Sequence, residues 1–471
     1  MNWSTNVNRI FQAVRNEGKL LFDNIRNEKL KQNLLQAIPF WIASVATGII
    51  AVAYAKLFLY AERGTLALYH YQKWFLFLLC PLCFIISWAV TKRWAPYAKG
   101  SGIPQVMASI ELATPKQYGL VKKLLSLRII LVKIVSSLVM VLGGGIIGRE
   151  GPTIQIAASV FQIIHTRLPR WWPKISKKNI LVAGAASGLA AAFNTPLGGI
   201  VFAVEELSKT HFSYFKSALF TAVIIAGLTA QGLAGPYLYL GYPDLGNLGA
   251  AVFLGVSVVA LFAGLSGSIM SKIILALLPR IASFTKTRQM IFFILGCAFV
   301  VSLSGFLFGE DAFGSGKELM TRTLFTNDKI VHWYTPFLRI NGLIFSFIAG
   351  TSGGIFAPSL SAGASIGSAI AGWFHYNATN TNLLILSGMV AFLTGVTRSP
   401  FTSAILVLEM TDRHNVIFHL MLAALLANIF SALLDQHSIY EHLKVKYLHD
   451  VLQEALPTNT STTQTMDEAI P

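Results

Sequence analysis

Long apolar runs leave this chain few choices of solvent. Residues 37–62, 73–90, 124–148, 180–204, 215–234, 249–278 and 290–308 are each predominantly apolar. About 20 such residues cross a hydrocarbon core roughly 30 Å thick. Several of these runs exceed one crossing or fall short of it, which predicts tilted and partial helices. Of the 471 residues, 54% are hydrophobic and 12% charged, whereas a soluble protein carries about 25% charged. The chain therefore reads as an all-α polytopic membrane protein. The formal charge is +16, but the basic residues fall between the apolar runs, as at Lys92, Arg93 and Lys99 and again from Arg167 to Lys178. That placement fits membrane orientation and anion attraction and argues against nucleic acid as a partner. Cys80, Cys83 and Cys297 all lie in apolar runs and read as buried thiols, with no metal site.

Glycine-rich breaks interrupt this apolar background. GGGIIGREGP, residues 143–152, sets Arg149 and Glu150 between glycines and ahead of Pro152. An ionisable pair is costly in lipid, but tolerable where glycine backbone lines a polar cavity and its N–H groups cradle an anion. The stretch has two readings: an anion site holding a titratable carboxylate, or a loop between two spans. A second break is Gly100-Ser101-Gly102-Ile103-Pro104, and a third is TSGGIFAP at 351–358. Breaks ahead of proline in both halves suggest an internal repeat, and broken helices meeting at mid-membrane are a transporter design. Taken alone, Ser101 reads as a helix cap, Tyr440 as a membrane-interface tyrosine, and Glu409 as a structural partner for a base or backbone amide. Residues 309–336 read as an external loop. No HExxH, phosphate-loop or GxSxG pattern occurs, so the chain does not read as an enzyme.

Taken together, GSGIPQ from Gly100, GREGP at 148–152, GGIFAP at 353–358, AAFNTPLGGIVFAVEEL at 191–207 and ILVLEMTD at 405–412 resemble the CLC family of chloride channels and proton-coupled chloride antiporters. The resemblance covers roughly residues 37–449. It implies a CLC-type inverted repeat of tilted and broken helices in a homodimer with one pore per subunit. It implies a central anion held by the hydroxyls of Ser101 and Tyr440 and the backbone N–H groups of Ile355 and Phe356. Glu150 matches the external gating glutamate. Arg149 shapes the entrance, and Gly100, Gly102 and Gly151 line the path. No cofactor is implied beyond bound chloride ions; the partners are chloride, protons and the lipid bilayer.

The same resemblance places the inner proton-transfer glutamate on Glu206, where channels of the family commonly carry valine. It therefore favours proton-coupled chloride exchange; if Glu205 and Glu206 merely cap a helix end, a passive channel is the alternative. An exchanger for nitrate or fluoride and a non-transporting scaffold are further alternatives. Two positions depart from the pattern: Gln105 and Met107 stand where bacterial antiporters often carry acids, whereas Glu111 remains. The expected organisation is an amphipathic cytoplasmic segment over 1–35, a transmembrane domain over 36–449 with halves of roughly 36–235 and 249–449, and a short disordered tail over 450–471. The missing nucleotide-binding region fits a prokaryotic member in the inner membrane.

Overall fold

A computed structural model describes residues 28–169, 171–207, 216–235, 238–245 and 251–455. The expectations for residues 1–27 and 456–471 lie outside the described residues. Among the described residues, eight helices are long and apolar enough to cross a membrane.

In the first half, α1 (Glu28–Tyr71) carries Pro39 near its start, and α2 (Leu76–Trp94) follows a short 3-10 turn. The run at 37–62 is thus only part of a longer helix, which includes residues 28–35. Short α3 (Ile103–Glu111) and α4 (Val121–Leu124) precede α5 (Leu127–Leu142) and α6 (Glu150–Thr166). The run at 180–204 is not one span. It divides into α7 (Lys177–Phe193) and α8 (Pro196–Phe202), because Asn194 turns left-handed at φ 58° and Pro196 opens the next helix. A π turn, Ala203–Leu207, then continues α8, and α9 spans Lys216–Ala234.

The second half opens on two long helices, α10 (Ala251–Ala282) and α11 (Thr287–Phe308). Short α12 (Lys317–Phe325) precedes α13 (Thr335–Ile348) and α14 (Phe356–Trp373). Then come α15 (Ala378–Thr397), α16 (Pro400–Thr411), α17 (Ile417–Ala432) and α18 (Ile439–Gln453). Helix α18 thus extends past residue 449 into the stretch read as tail. It is fastened by Glu454, which accepts from Lys123 Nζ at 2.9 Å and from Tyr97 Oη at 2.8 Å.

The two halves repeat a pairing. Helix α6 packs on α7 in the first and α14 on α15 in the second. In the second pair the backbones nearly touch, since a Cβ on Gly363 would collide with the Gly388 carbonyl. Small residues permit such approach where lipid supplies no hydrophobic drive. Helices α14 and α15 are buried along almost their whole length, which places the core here.

Two arginines, Arg339 buried and Arg398 half-buried, tie irregular backbone to helices. Arg339 of α13 donates to the carbonyls of Asp311, Phe313 and Gly314 and to Ser361 Oγ, at 2.7–3.2 Å. It thereby anchors the loop after α11. Arg398, left-handed at φ 58°, closes α15 and donates to the carbonyls of Ser431 and Asp435 at 3.1 Å and to Ser268 Oγ at 2.8 Å. Each guanidinium meets fixed oxygen acceptors, the arrangement that a buried charge requires.

Candidate functional site

Three helices begin at one place. Helix α3 starts after Gly102 (φ 108°), α6 starts at Glu150, and α14 starts at Phe356 with Ile355 as its N-cap. These starts follow the three glycine-rich breaks, and the breaks are stitched together. Gly148 and Gly354 exchange N–H···O=C hydrogen bonds, each 2.7 Å. Gly100 N–H donates to Thr351 O at 2.7 Å, and Gly353 N–H donates to Gly100 O at 3.2 Å. Lys133, buried in α5, donates to the carbonyls of Ala98 and Gly100 at 2.9 and 2.7 Å. The sequence displayed Lys133 as a charge in an apolar run without saying what it holds. Its task is to satisfy carbonyls that no helix can satisfy.

The closeness demands glycine. A Cβ on Gly151 would run into Ser101 Oγ and lie 2.8 Å from Ser101 O, and one on Gly102 would lie 2.9 Å from Gly151 O. Four of the expected pore residues, Gly100, Ser101, Gly102 and Gly151, are therefore in one cluster.

The side chains around it are polar but poorly paired. Ser101 is 2% exposed and Tyr440, on the first turn of α18, is 0% exposed. Their hydroxyls are neighbours, yet neither forms a regular hydrogen bond among the described residues. A buried hydroxyl without a full partner costs about 1–3 kcal/mol, a cost that an acceptor seated between the two hydroxyls would offset. Tyr440 is therefore not an interface tyrosine. Its ring stacks on Phe356, with centroids 6.4 Å apart and planes 9° apart. The first-turn N–H groups of α14 have no partner within their own helix and carry its positive end. Hydroxyl donors, free N–H groups and helix N-termini fit an anion.

Glu150 lies against this cluster with its carboxylate seated at the start of α14. A Cβ on Gly148 would collide with Glu150 Oε2 and would also lie 3.0 Å from Pro358 Cδ and 3.3 Å from Ala357 Cβ. Glu150 Oε1 is 4.0 Å from Arg149 Nε. On its other side is a cavity of about 180 Å³ lined by Arg149, Glu150, Lys56, Glu62, Tyr239 and Lys317, among others. Glu62 and Lys317 also line a larger cavity of about 860 Å³ reaching the loop after α11. Burial holds the Lys317 ammonium below its ordinary range, and the ammonium stands 4.7 Å over the Tyr239 ring.

Glu206 stands in the π turn after α8, 7% exposed, and accepts a hydrogen bond from Ser399 Oγ. Its neighbour Glu205 has a different task, accepting from the N–H groups of Phe401 at 3.1 Å and Thr402 at 2.6 Å. Glu409 does the same for Leu197 at 3.1 Å and Gly198 at 2.8 Å, the backbone-amide role its sequence context suggested. Of the departures from the family pattern, Gln105 donates to the carbonyls of Tyr97 and Lys99 at 3.2 and 2.6 Å. An ionised carboxylate there has no hydrogen to donate. Met107 packs in the core, and Glu111 pairs with Lys444 at 2.7 Å. Sequence reasoning missed Ser399, which carries no motif of its own.

The family model described as voltage gated chloride channel matches residues 83–432. Proteins called H(+)/Cl(-) exchange transporter ClcA are similar along nearly the whole chain. That of Citrobacter koseri is 26% identical over 466 residues, covering 95% of this chain and 96% of the relative. That of Salmonella arizonae is 27% identical over 469 residues, covering 96% of each. Among solved structures, a slow cyanobacterial Cl-/H+ antiporter superposes with a TM-score of 0.76 at 21% identity, over 88% of this chain and 98% of that one. A CLC-type fluoride/proton antiporter gives 0.72 at 22% identity, over 89% and 99%.

Proposed function

Because the chain belongs to the voltage gated chloride channel family, we propose that it is a secondary transporter exchanging chloride for protons across the inner membrane. The observation that carries this reading is the convergence of three helix starts on buried Ser101 and Glu150, with Tyr440 stacked on Phe356 at the third of them. An anion site beside one buried carboxylate, with a second, Glu206, buried in the π turn after α8, suits coupled movement of anions and protons. The curated relatives bear the name of H+/Cl- exchangers, which supports the same reading.

The mechanism follows from the groups present. Chloride sheds water for the hydroxyls of Ser101 and Tyr440 and for the N–H groups of Ile355 and Phe356. Neutral donors hold it strongly enough to enter and weakly enough to leave. The Glu150 carboxylate sits beside the same N-terminus and competes with chloride when ionised. Protonation removes the negative charge and releases the seat. Glu206 takes protons from the cytoplasmic side and supplies them toward Glu150 without passing the anion entrance. Arg149 and Lys317 raise the local anion concentration at the outer cavity. The functional unit is a homodimer. Leu197 on α8 and Phe401 on α16, two helices packed on each other, are 57% and 50% exposed, and a second copy of the chain would cover this apolar face.

The deciding experiment is reconstitution into sealed vesicles with chloride and pH recorded together. An outward chloride gradient should drive protons inward against their own gradient. A wild type whose reversal potential equals the chloride equilibrium value is a passive channel and refutes the reading. Parallel runs with fluoride and nitrate decide the anion.

A further inference from the structure

The two helix starts at Pro196 and Pro400 share one register. Asn194 and Arg398 are both left-handed at φ 58°, Thr195 and Ser399 are the N-caps, and Pro196 and Pro400 are the first helical residues. Each helix start is capped from the other half: Glu205 takes the N–H groups of Phe401 and Thr402, and Glu409 takes those of Leu197 and Gly198. These are the second and third residues of each helix, the amides an N-cap hydroxyl normally accepts from. The capping is thus done by a carboxylate, and neither N-cap side chain caps its own helix.

That leaves two spare hydroxyls, and here the repeat breaks. In the register that pairs Glu205 with Glu409, Glu206 corresponds to Met410. Ser399 Oγ donates to Glu206 Oε2, with a longer contact to Thr397 O at 3.4 Å. Thr195 Oγ1, 0% exposed, has no such partner. The first half also opens into a π turn at Ala203–Leu207, whereas α16 stays α-helical through Thr411. Neighbouring α-helical residues point about 100° apart. The π turn lets consecutive Glu205 and Glu206 address one turn, Ser399 to Thr402. Such turns recur at functional sites.

We propose that Ser399 is a positioning residue for proton transfer. Its hydroxyl, released from capping by Glu205, fixes the Glu206 carboxylate in the orientation from which it passes protons. The inference deepens the antiport reading and rests on it. One half of the repeat keeps the cap alone, and the other adds a working carboxylate to it.

The test uses the full chain in vesicles. Ser399→Ala should lower proton flux several-fold while chloride flux persists, moving the reversal potential toward the chloride value. Ser399→Thr keeps the oxygen and should keep coupling, since Thr195 already occupies nearly the same backbone geometry (φ −127°, ψ 81° against −119°, 78°). Thr195→Ala, the matched control, should behave as wild type. In a Glu206→Gln background, Ser399→Ala should change nothing further. Infrared spectra should show the Glu206 carboxylate band, identified by its loss in Glu206→Gln, displaced in Ser399→Ala. Unchanged coupling in Ser399→Ala, equal loss in Thr195→Ala, or an unmoved infrared band each overturn the proposal. A wild type without coupling overturns the antiport reading, and this inference with it. That outcome needs no variant and is told apart at once.

Discussion

Gly148 and Gly354 hydrogen-bond to each other twice, each N–H to the other's carbonyl at 2.7 Å, so the two halves of the chain meet through backbone where their helices restart. Substitution should separate two effects here. A Cβ on Gly354 meets fixed backbone, Gly148 O at 3.0 Å and Gly151 N at 3.1 Å. Gly354→Ala should therefore destabilise by about 1–3 kcal/mol through overpacking, read as a lowered midpoint of thermal unfolding. A Cβ on Gly148 instead meets the movable Glu150 carboxylate first. Gly148→Ala should fold and should weaken the pH dependence of chloride flux by unseating the gate.

Glu150→Gln should mimic a permanently protonated gate. Chloride flux should continue with most of its pH dependence gone, and proton movement should stop. Flux measured from acidic to neutral pH checks both; a variant still pumping protons would remove Glu150 from the proton route.

Tyr440→Phe and Ser101→Ala each delete one neutral donor. Chloride binding should weaken by about 1–3 kcal/mol per deletion, a shift that calorimetric titration resolves. The phenylalanine variant keeps the ring stacked on Phe356 and so isolates the hydroxyl.

The neighbours Glu205 and Glu206 should separate cleanly. Glu206→Gln should leave chloride flux measurable while proton transport falls to background. Glu205→Gln should keep coupling far better but lower stability by about 1–3 kcal/mol, because an amide nitrogen would face backbone N–H donors. Glu409→Gln should cost a similar amount. Thermal unfolding and vesicle flux, measured on the same three preparations, give the answer.

Beside the end of α18, the Lys123 ammonium, together with the Tyr97 hydroxyl, holds the Glu454 carboxyl below its usual range. A depressed carboxyl pKa contributes stability above the unfolded value of about 4.3, and that contribution disappears as pH falls through the folded value. The pair is solvent-exposed and its contribution small. Hydrogen exchange near Gln453 should rise in acid before that of α14 does; simultaneous loosening of both would contradict this.

Much of this was legible in the chain. The apolar runs gave the spans, and the glycines before Pro152 and Pro358 marked where helices restart. Glu409 read as a structural partner for a base or a backbone amide, and of the two it holds backbone amides. The division of 180–204 was hidden, since its composition is uniformly apolar and one left-handed Asn194 cuts it. The role of Ser399 was hidden for another reason. A hydroxyl beside proline reads as a cap, and only the opposite half reveals that another residue already caps.

Arg398 gives the halves a further property. It directly precedes Ser399, and its guanidinium grips the carbonyls of Ser431 and Asp435, on the segment leading into Tyr440. The Ser399 hydroxyl beside Glu206 and the segment that carries the Tyr440 hydroxyl are thus tied to one guanidinium, so the two hydroxyls share a single anchor in the fold.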